Sequence, residues 1–235
     1  MKTILVVILV LLCFELYGTD VEATLTYYMY NRDATYVTSR DDVTAMGNSS
    51  SGPKVGQNTT FDVIRGYLEF PIPTIGSCAS CTLYVYGKTD YSTDDFNTML
   101  YTGSWENTQT TSWELFDGWV SGSAFTGTSL TDGWNSSNFT VGWNTIVFNE
   151  AGRDSVLAYS NSTIKIAVIS AEDASRSQPT AAESLEFESI AATGKEPFLR
   201  IGTTAGYTGT VNGVDEPANI SGVLKATVKN VNGVE

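Results

Sequence analysis

The chain has 235 residues and no histidine, with 13 Lys and Arg against 26 Asp and Glu, a formal net charge of −13. That acidic field repels nucleic acid and anionic lipid and suits divalent cations or a hydrated outer surface. Without histidine, imidazole metal sites and histidine-based acid–base chemistry are excluded.

The N-terminus, Met1-Lys2-Thr3 followed by uncharged residues from Ile4 to Phe14, has the basic start and apolar core of a secretory signal peptide. Val21-Glu22-Ala23 offers small residues for cleavage before Thr24, so residues 1–23 read as a leader and the protein as secreted, extracellular or at the cell surface. The apolar run is shorter than the roughly 20 residues of a membrane-spanning helix. An uncleaved anchor or pilin-like helix is the alternative; removal of the leader leaves no membrane segment. Cys13 lies inside the run, after Leu12, where a lipoprotein cysteine would need a small neighbour.

Thr24 to Tyr30 reads as a strand, and residues 38–60, polar and rich in Gly and Ser, as a long surface loop. Asn48, Asn58, Asn135, Asn138, Asn161 and Asn219 each open an Asn-x-Ser/Thr triplet, and six behind a leader point to a glycosylated surface protein. A chain rich in Ser, Thr and Asn also produces such triplets by chance.

Arg65-Gly66-Tyr67-Leu68-Glu69-Phe70 alternates inward and outward side chains, followed by a Pro71-Ile72-Pro73 corner, the turn Cys78-Ala79-Ser80-Cys81, and the strand Thr82-Leu83-Tyr84-Val85-Tyr86. No helical pattern appears between Arg65 and Trp113. Cys78 and Cys81 have redox-motif spacing but precede a strand, whereas thiolate chemistry needs a helix N-terminus; a small disulfide stiffening the turn is expected in an oxidising compartment. Asp90, Asp94 and Asp95 could supply hard oxygen ligands to Ca²⁺, but they lack the regular Asp-x-Asp-x-Asp-Gly spacing, which favours a solvated loop.

Five tryptophans stand at positions 105, 113, 119, 134 and 143. Trp105, Trp113 and Trp143 lie in or beside strand-like runs and are expected in the core. Trp119 and Trp134 lie in Gly-rich loops and are the candidates for stacking on sugar rings. Ile164 to Ile169 reads as a buried strand. Glu186 and Glu188 fall on one face of a strand, where a carboxylate pair could serve glycoside hydrolysis, although outward-facing strand positions explain them better. The chain shows no serine nucleophile motif, phosphate loop or metal-ligand spacing, which argues against an enzyme.

Phe198-Leu199-Arg200-Ile201 reads as a closing strand. Residues 205–210 are linker-like, and Val211-Asn-Gly-Val214 recurs as Val231-Asn-Gly-Val234 around a strand-like Val223 to Asn230. An isolated hairpin is marginal in water, so this tail must pack on its own sandwich or on a neighbour.

Several of these runs together carry a resemblance: Arg65 to Phe70, Thr82 to Tyr86, Trp105-Glu to Trp113, Gly142-Trp143-Asn144-Thr145, Phe187-Glu188-Ser189, and Glu196-Pro197-Phe198-Leu199-Arg200-Ile201. In this order they resemble the DNRLRE-type β-sandwich modules of secreted surface proteins, which look like jelly-roll carbohydrate-binding modules; the Asn-Arg-Leu-Arg-Glu run itself is absent. The resemblance implies a structural or adhesive role. With the spacing of short strands it predicts an all-β, antiparallel jelly-roll-like β-sandwich over residues 24–203, with a linker and short C-terminal β tail over 204–235. The function expected is a structural subunit that assembles into a homopolymeric filament or surface layer by lending a terminal strand, Thr24 to Tyr30 or Val223 to Asn230, to its neighbour's sheet edge. The alternative is a carbohydrate-binding adhesive module.

Overall fold

The computed structural model describes residues 17–31, 45–46, 52–57, 63–103, 127–175, 177, 180–203, 210–211 and 214–215. One compact unit spans Gly18–Thr203; a second comprises Met1–Tyr17 and Thr204–Glu235. Within the first, the strands are β1 (Tyr17–Glu22), β2 (Leu25–Asn31), β3 (Ala45–Met46), β4 (Lys54–Gln57), β5 (Val63–Ile72), β6 (Ser80–Asp90), β7 (Asn97–Thr102), β8 (Trp134–Asn135), β9 (Trp143–Val147), β10 (Ser162–Ser170), β11 (Glu183–Phe187) and β12 (Phe198–Thr203). Helices α1 (Glu150–Ala158) and α2 (Ala171–Ser175) flank β10. In the second unit, β13 (Thr210–Val211) pairs antiparallel with β14 (Val214–Asp215). The strand expected over Val223 to Asn230 lies outside the described residues.

The fold is all-β and sandwich-like. Twelve strands form one continuous sheet in the order β1-β12-β6-β11-β4-β5-β10-β7-β8, with β2 added on β5, β3 on β2 and β9 on β6. It curls through β6. The first half of that strand pairs with β12 and β9, and its end pairs with β11, where the register slips between Glu186 and Phe187. Gly87 sits at this bend. A Cβ there would lie 2.2 Å from the carbonyl oxygen of Thr140, so only glycine lets the strand pass so close to its neighbour.

The curl brings inward residues from both parts of the sheet into one core: Leu68, Phe70 and Ile72 of β5, Leu83 and Val85 of β6, Ile146 of β9, Ile164 and Ile166 of β10, and Leu199 and Ile201 of β12. Each such side chain contributes roughly 1.5–3 kcal/mol relative to exposure, which makes this core the main source of stability.

Three sequence expectations meet the structure here. The stretch 38–60 is not simply a surface loop, because β4 runs within it between β11 and β5, with Val55 and Gln57 fully buried. The leader boundary at residue 23 falls beyond β1, a strand that is part of the sheet. Finally, β5 is not half-buried. Leu68 and Phe70 face the core, while Arg65 and Tyr67 point to the opposite face and are equally buried, at 0% exposure.

That opposite face is closed by α2. Arg65 donates from Nε to Asp173 Oδ2 at 2.6 Å and from its terminal nitrogen to Oδ1 at 3.0 Å, a bidentate pair in which both side chains are at 0% exposure. Ser170 Oγ accepts from the Asp173 backbone N–H at 3.1 Å and from Gln57 Nε2 at 3.0 Å, so the turn into α2 is held from β4 as well. Burial pushes the Tyr67 hydroxyl pKa well above its usual value. Breaking one half of such a pair leaves the other charge buried without its partner, at a cost of about 3–5 kcal/mol. Asp173→Ala is therefore expected to destabilise by that order, whereas Arg65→Met with Asp173→Leu is expected to recover most of the loss. Urea unfolding of the three chains checks this, and a double variant no better than the single one refutes it.

Candidate functional site

A face of aromatic rings covers the outer side of the β9-β6-β12 part of the sheet. It follows from strand alternation: in β6, Cys81, Leu83 and Val85 go inward and Thr82, Tyr84 and Tyr86 outward; in β9, Asn144 and Ile146 are buried while Trp143, Thr145 and Val147 are exposed. Register then places the rings together, with Tyr84 opposite Phe198 on one side and Thr145 on the other, and Tyr86 opposite Trp143.

Tyr84 and Phe198 stack with centroids 4.5 Å apart and planes 6° from parallel. Trp143 meets Tyr86 and Phe198 edge-on at 5.4 and 5.3 Å and Tyr84 at 6.5 Å, yet remains 43% exposed. Two cations lie over the rings. The Arg200 guanidinium is 4.9 Å from the Tyr84 centroid and 5.5 Å from that of Phe198, and Lys195 Nζ is 4.6 Å from that of Tyr86.

Each cation has an acidic partner. Asp20 of β1 accepts two hydrogen bonds from Arg200, at 2.7 and 2.8 Å, and these bonds hold its carboxyl below the usual range. Lys195 lies 3.6 Å from Glu188. The face is thus a patch of π surface bordered by paired charges. Such a surface can accept the C–H face of a sugar ring while guanidinium, carboxylate and phenol groups meet its hydroxyls.

The tryptophan assignments reverse. Trp134, read as a loop contact, is 9% exposed and packs against Phe187, because it opens β8 with its ring turned inward. Trp143, read as core, lies on the outward register of β9. Trp105, Trp113 and Trp119 fall outside the described residues. The alternation of Tyr84 with Tyr86 was visible in the sequence; that Trp143 shares their face required the β6–β9 register.

Other candidates are used differently. Asp90 Oδ1 accepts from the Ser92 backbone at 2.7 Å and Asp94 Oδ1 from the Asp95 backbone at 2.9 Å, so both cap turns, while Asp95 accepts from Ser136 Oγ at 3.4 Å. Among the described residues no group of three or more Cys, Asp or Glu is placed to hold a metal ion. Cys78 and Cys81 are free thiols, not the expected disulfide: Cys81 is the second residue of β6 with its side chain in the core, and Cys78, in the preceding turn, is partly buried against that core. A hydrogen bond between them lowers the Cys78 pKa and raises that of Cys81. Of the glycosylation triplets, Asn138 and Asn161 are exposed, whereas Asn135 is half-buried and donates from its side-chain amide to Asn97 at 3.1 Å. Asn48, Asn58 and Asn219 lie outside the described residues.

Glu186 accepts from Lys88 at 2.7 Å and Tyr91 at 3.2 Å and meets Lys54 at 3.1 Å. Burial raises its pKa, but the two lysines offset this and hold it below normal, the opposite of what a general acid needs. Glu188 lies past the end of β11 beside Lys195.

Comparison with protein-family models and with curated proteins finds no match to this chain.

Glu183 is the carboxylate under tension. It opens β11 opposite Gln57, is 5% exposed, and has one oxygen without a hydrogen-bond partner. Burial, with the charges of Glu172 and Asp94 behind it, pushes its pKa from 4.5 to about 7. Between those values the folded chain holds a proton that the unfolded chain has released. Its contribution to stability is complete below about 4.5 and is lost as pH rises through about 7. Glu183→Gln is expected to remove this slope and to raise the melting temperature at pH 8 relative to the parent. Thermal unfolding at pH 5 and pH 8 checks both; an unchanged slope refutes the assignment.

Proposed function

We propose that this chain is a secreted surface module that holds neutral carbohydrate on the aromatic face of β9, β6 and β12. The supporting observation is the exposed Trp143 ring, set among Tyr84, Tyr86 and Phe198 instead of being packed away. A large indole left open to water on a sheet face needs a binding role more than a folding one, since exposed apolar clusters mark interaction sites. Neutral glycans fit better than acidic ones, because Arg200 is paired with Asp20 and Lys195 lies beside Glu188, and the chain as a whole is strongly negative.

Self-assembly by strand lending is the second reading. Its support is β9, which among the described residues pairs only with β6, and which carries no charged residue from Val141 to Phe148 while Val141 and Val147 stay exposed. Uncharged edges of this kind accept an added strand. Of the two strands expected to be lent, β2 pairs with β5 of its own chain.

Trp143→Ala is expected to weaken retention on insoluble neutral polysaccharides by about tenfold, or roughly 1.4 kcal/mol, with the fold intact by circular dichroism. Depletion assays across several polysaccharides check this. Binding unaffected by the change refutes the carbohydrate reading, and polymers in negative stain that survive it favour assembly.

A further inference from the structure

Cutting the chain between Ala23 and Thr24 would take β1 out of the folded unit. That strand is the outer neighbour of β12. Val21 and Ala23 are 6% and 8% exposed and belong to the main core. The Ala23 backbone N–H donates to the carbonyl of Pro197 at 2.8 Å, and Asp20 holds Arg200 through two hydrogen bonds. Loss of these residues would uncover core, open the backbone edge of β12, and leave the cation over Tyr84 and Phe198 without its carboxylate. An opened sheet edge of this kind is a liability for aggregation.

A second candidate for leader removal lies at the start of β1. The apolar run ends at Phe14, and Gly18 is the first small residue after it, four positions on. Leader removal favours small residues at the last and third-last positions before the scissile bond; Gly18 supplies the last, and Leu16 stands at the third-last. In the folded chain Gly18 and Thr19 are both exposed.

We propose that the leader is removed at the Gly18–Thr19 bond and that the mature chain begins at Thr19 with Asp20, Val21 and Ala23 retained. The step is a hydrolysis by a leader peptidase. Water adds across the peptide C–N bond, leaving a carboxyl on Gly18 and a free α-amino group on Thr19. The cut removes Tyr17 and Gly18 from the start of β1, and the retained residues 19–23 keep Val21 and Ala23 in the core and Asp20 on Arg200. This inference rests on the export proposed above.

The full-length chain, expressed in a secreting host, is tested by intact mass and N-terminal sequencing of the exported protein. Thr19 as the first residue is the expected result. Thr24, or an uncut Met1 in exported material, overturns the inference while leaving export standing; material that never leaves the cell and keeps Met1 overturns both. In pulse-labelled chains, read before folding matters, Gly18→Tyr is expected to abolish processing and Ala23→Tyr to leave it unchanged. The reverse pattern overturns the assignment.

Discussion

The bidentate contact between Arg65 and Asp173 is the constraint from which much of the fold follows. Two charges in a dry interior are costly unless paired, and the chain pairs them by closing α2 over β5 at hydrogen-bond distance. Strand β5 can then be buried on both faces while pairing with β10, β4 and β2. The same turn holds Ser170 against Gln57, and so ties β4 to α2 through a polar contact. It also places Glu172 where its charge adds to burial in raising the Glu183 pKa.

The opposite part of the sheet follows a different logic. In β6 the inward Cys81, Leu83 and Val85 are apolar and the outward Tyr84 and Tyr86 aromatic, so one strand supplies the core and the exposed face together. The bend at Gly87 lets β6 leave this face and join β11. Arg200 is the link to the N-terminal strand, since its guanidinium lies over Tyr84 and Phe198 while its partner Asp20 belongs to β1. The aromatic face therefore draws on residues near both ends of the compact unit.

The strands with strong β-branched alternation were legible: β2, β6, β10 and β12 lie where Thr24 to Tyr30, Thr82 to Tyr86, Ile164 to Ile169 and Phe198 to Ile201 placed them. Strand β4 was hidden because Lys54-Val-Gly-Gln57 is short and half polar, and only its pairing with β11 and β5 buries it. Helix α1 had local signals, an Asn149 side chain accepting from the Gly152 N–H and Glu150 in the first turn, but it buries only Gly152 and Val156 and so shows little apolar periodicity. The aromatic site was half visible. Tyr84 and Tyr86 announce a common side of one strand, while Trp143 and Phe198 join them only across strands.

The sequence by itself determined the class of the fold, because period-two alternation of branched and aromatic residues is a local property of the backbone pleat. It determined the charge and the missing imidazole chemistry, which depend on composition alone. Tertiary structure decided which tryptophan is exposed, whether residues 17–22 belong to the sheet, and that Arg65 is buried. Each of these depends on which strand lies beside which and in what register, and a shift of one residue would turn every side chain of a strand to the other face.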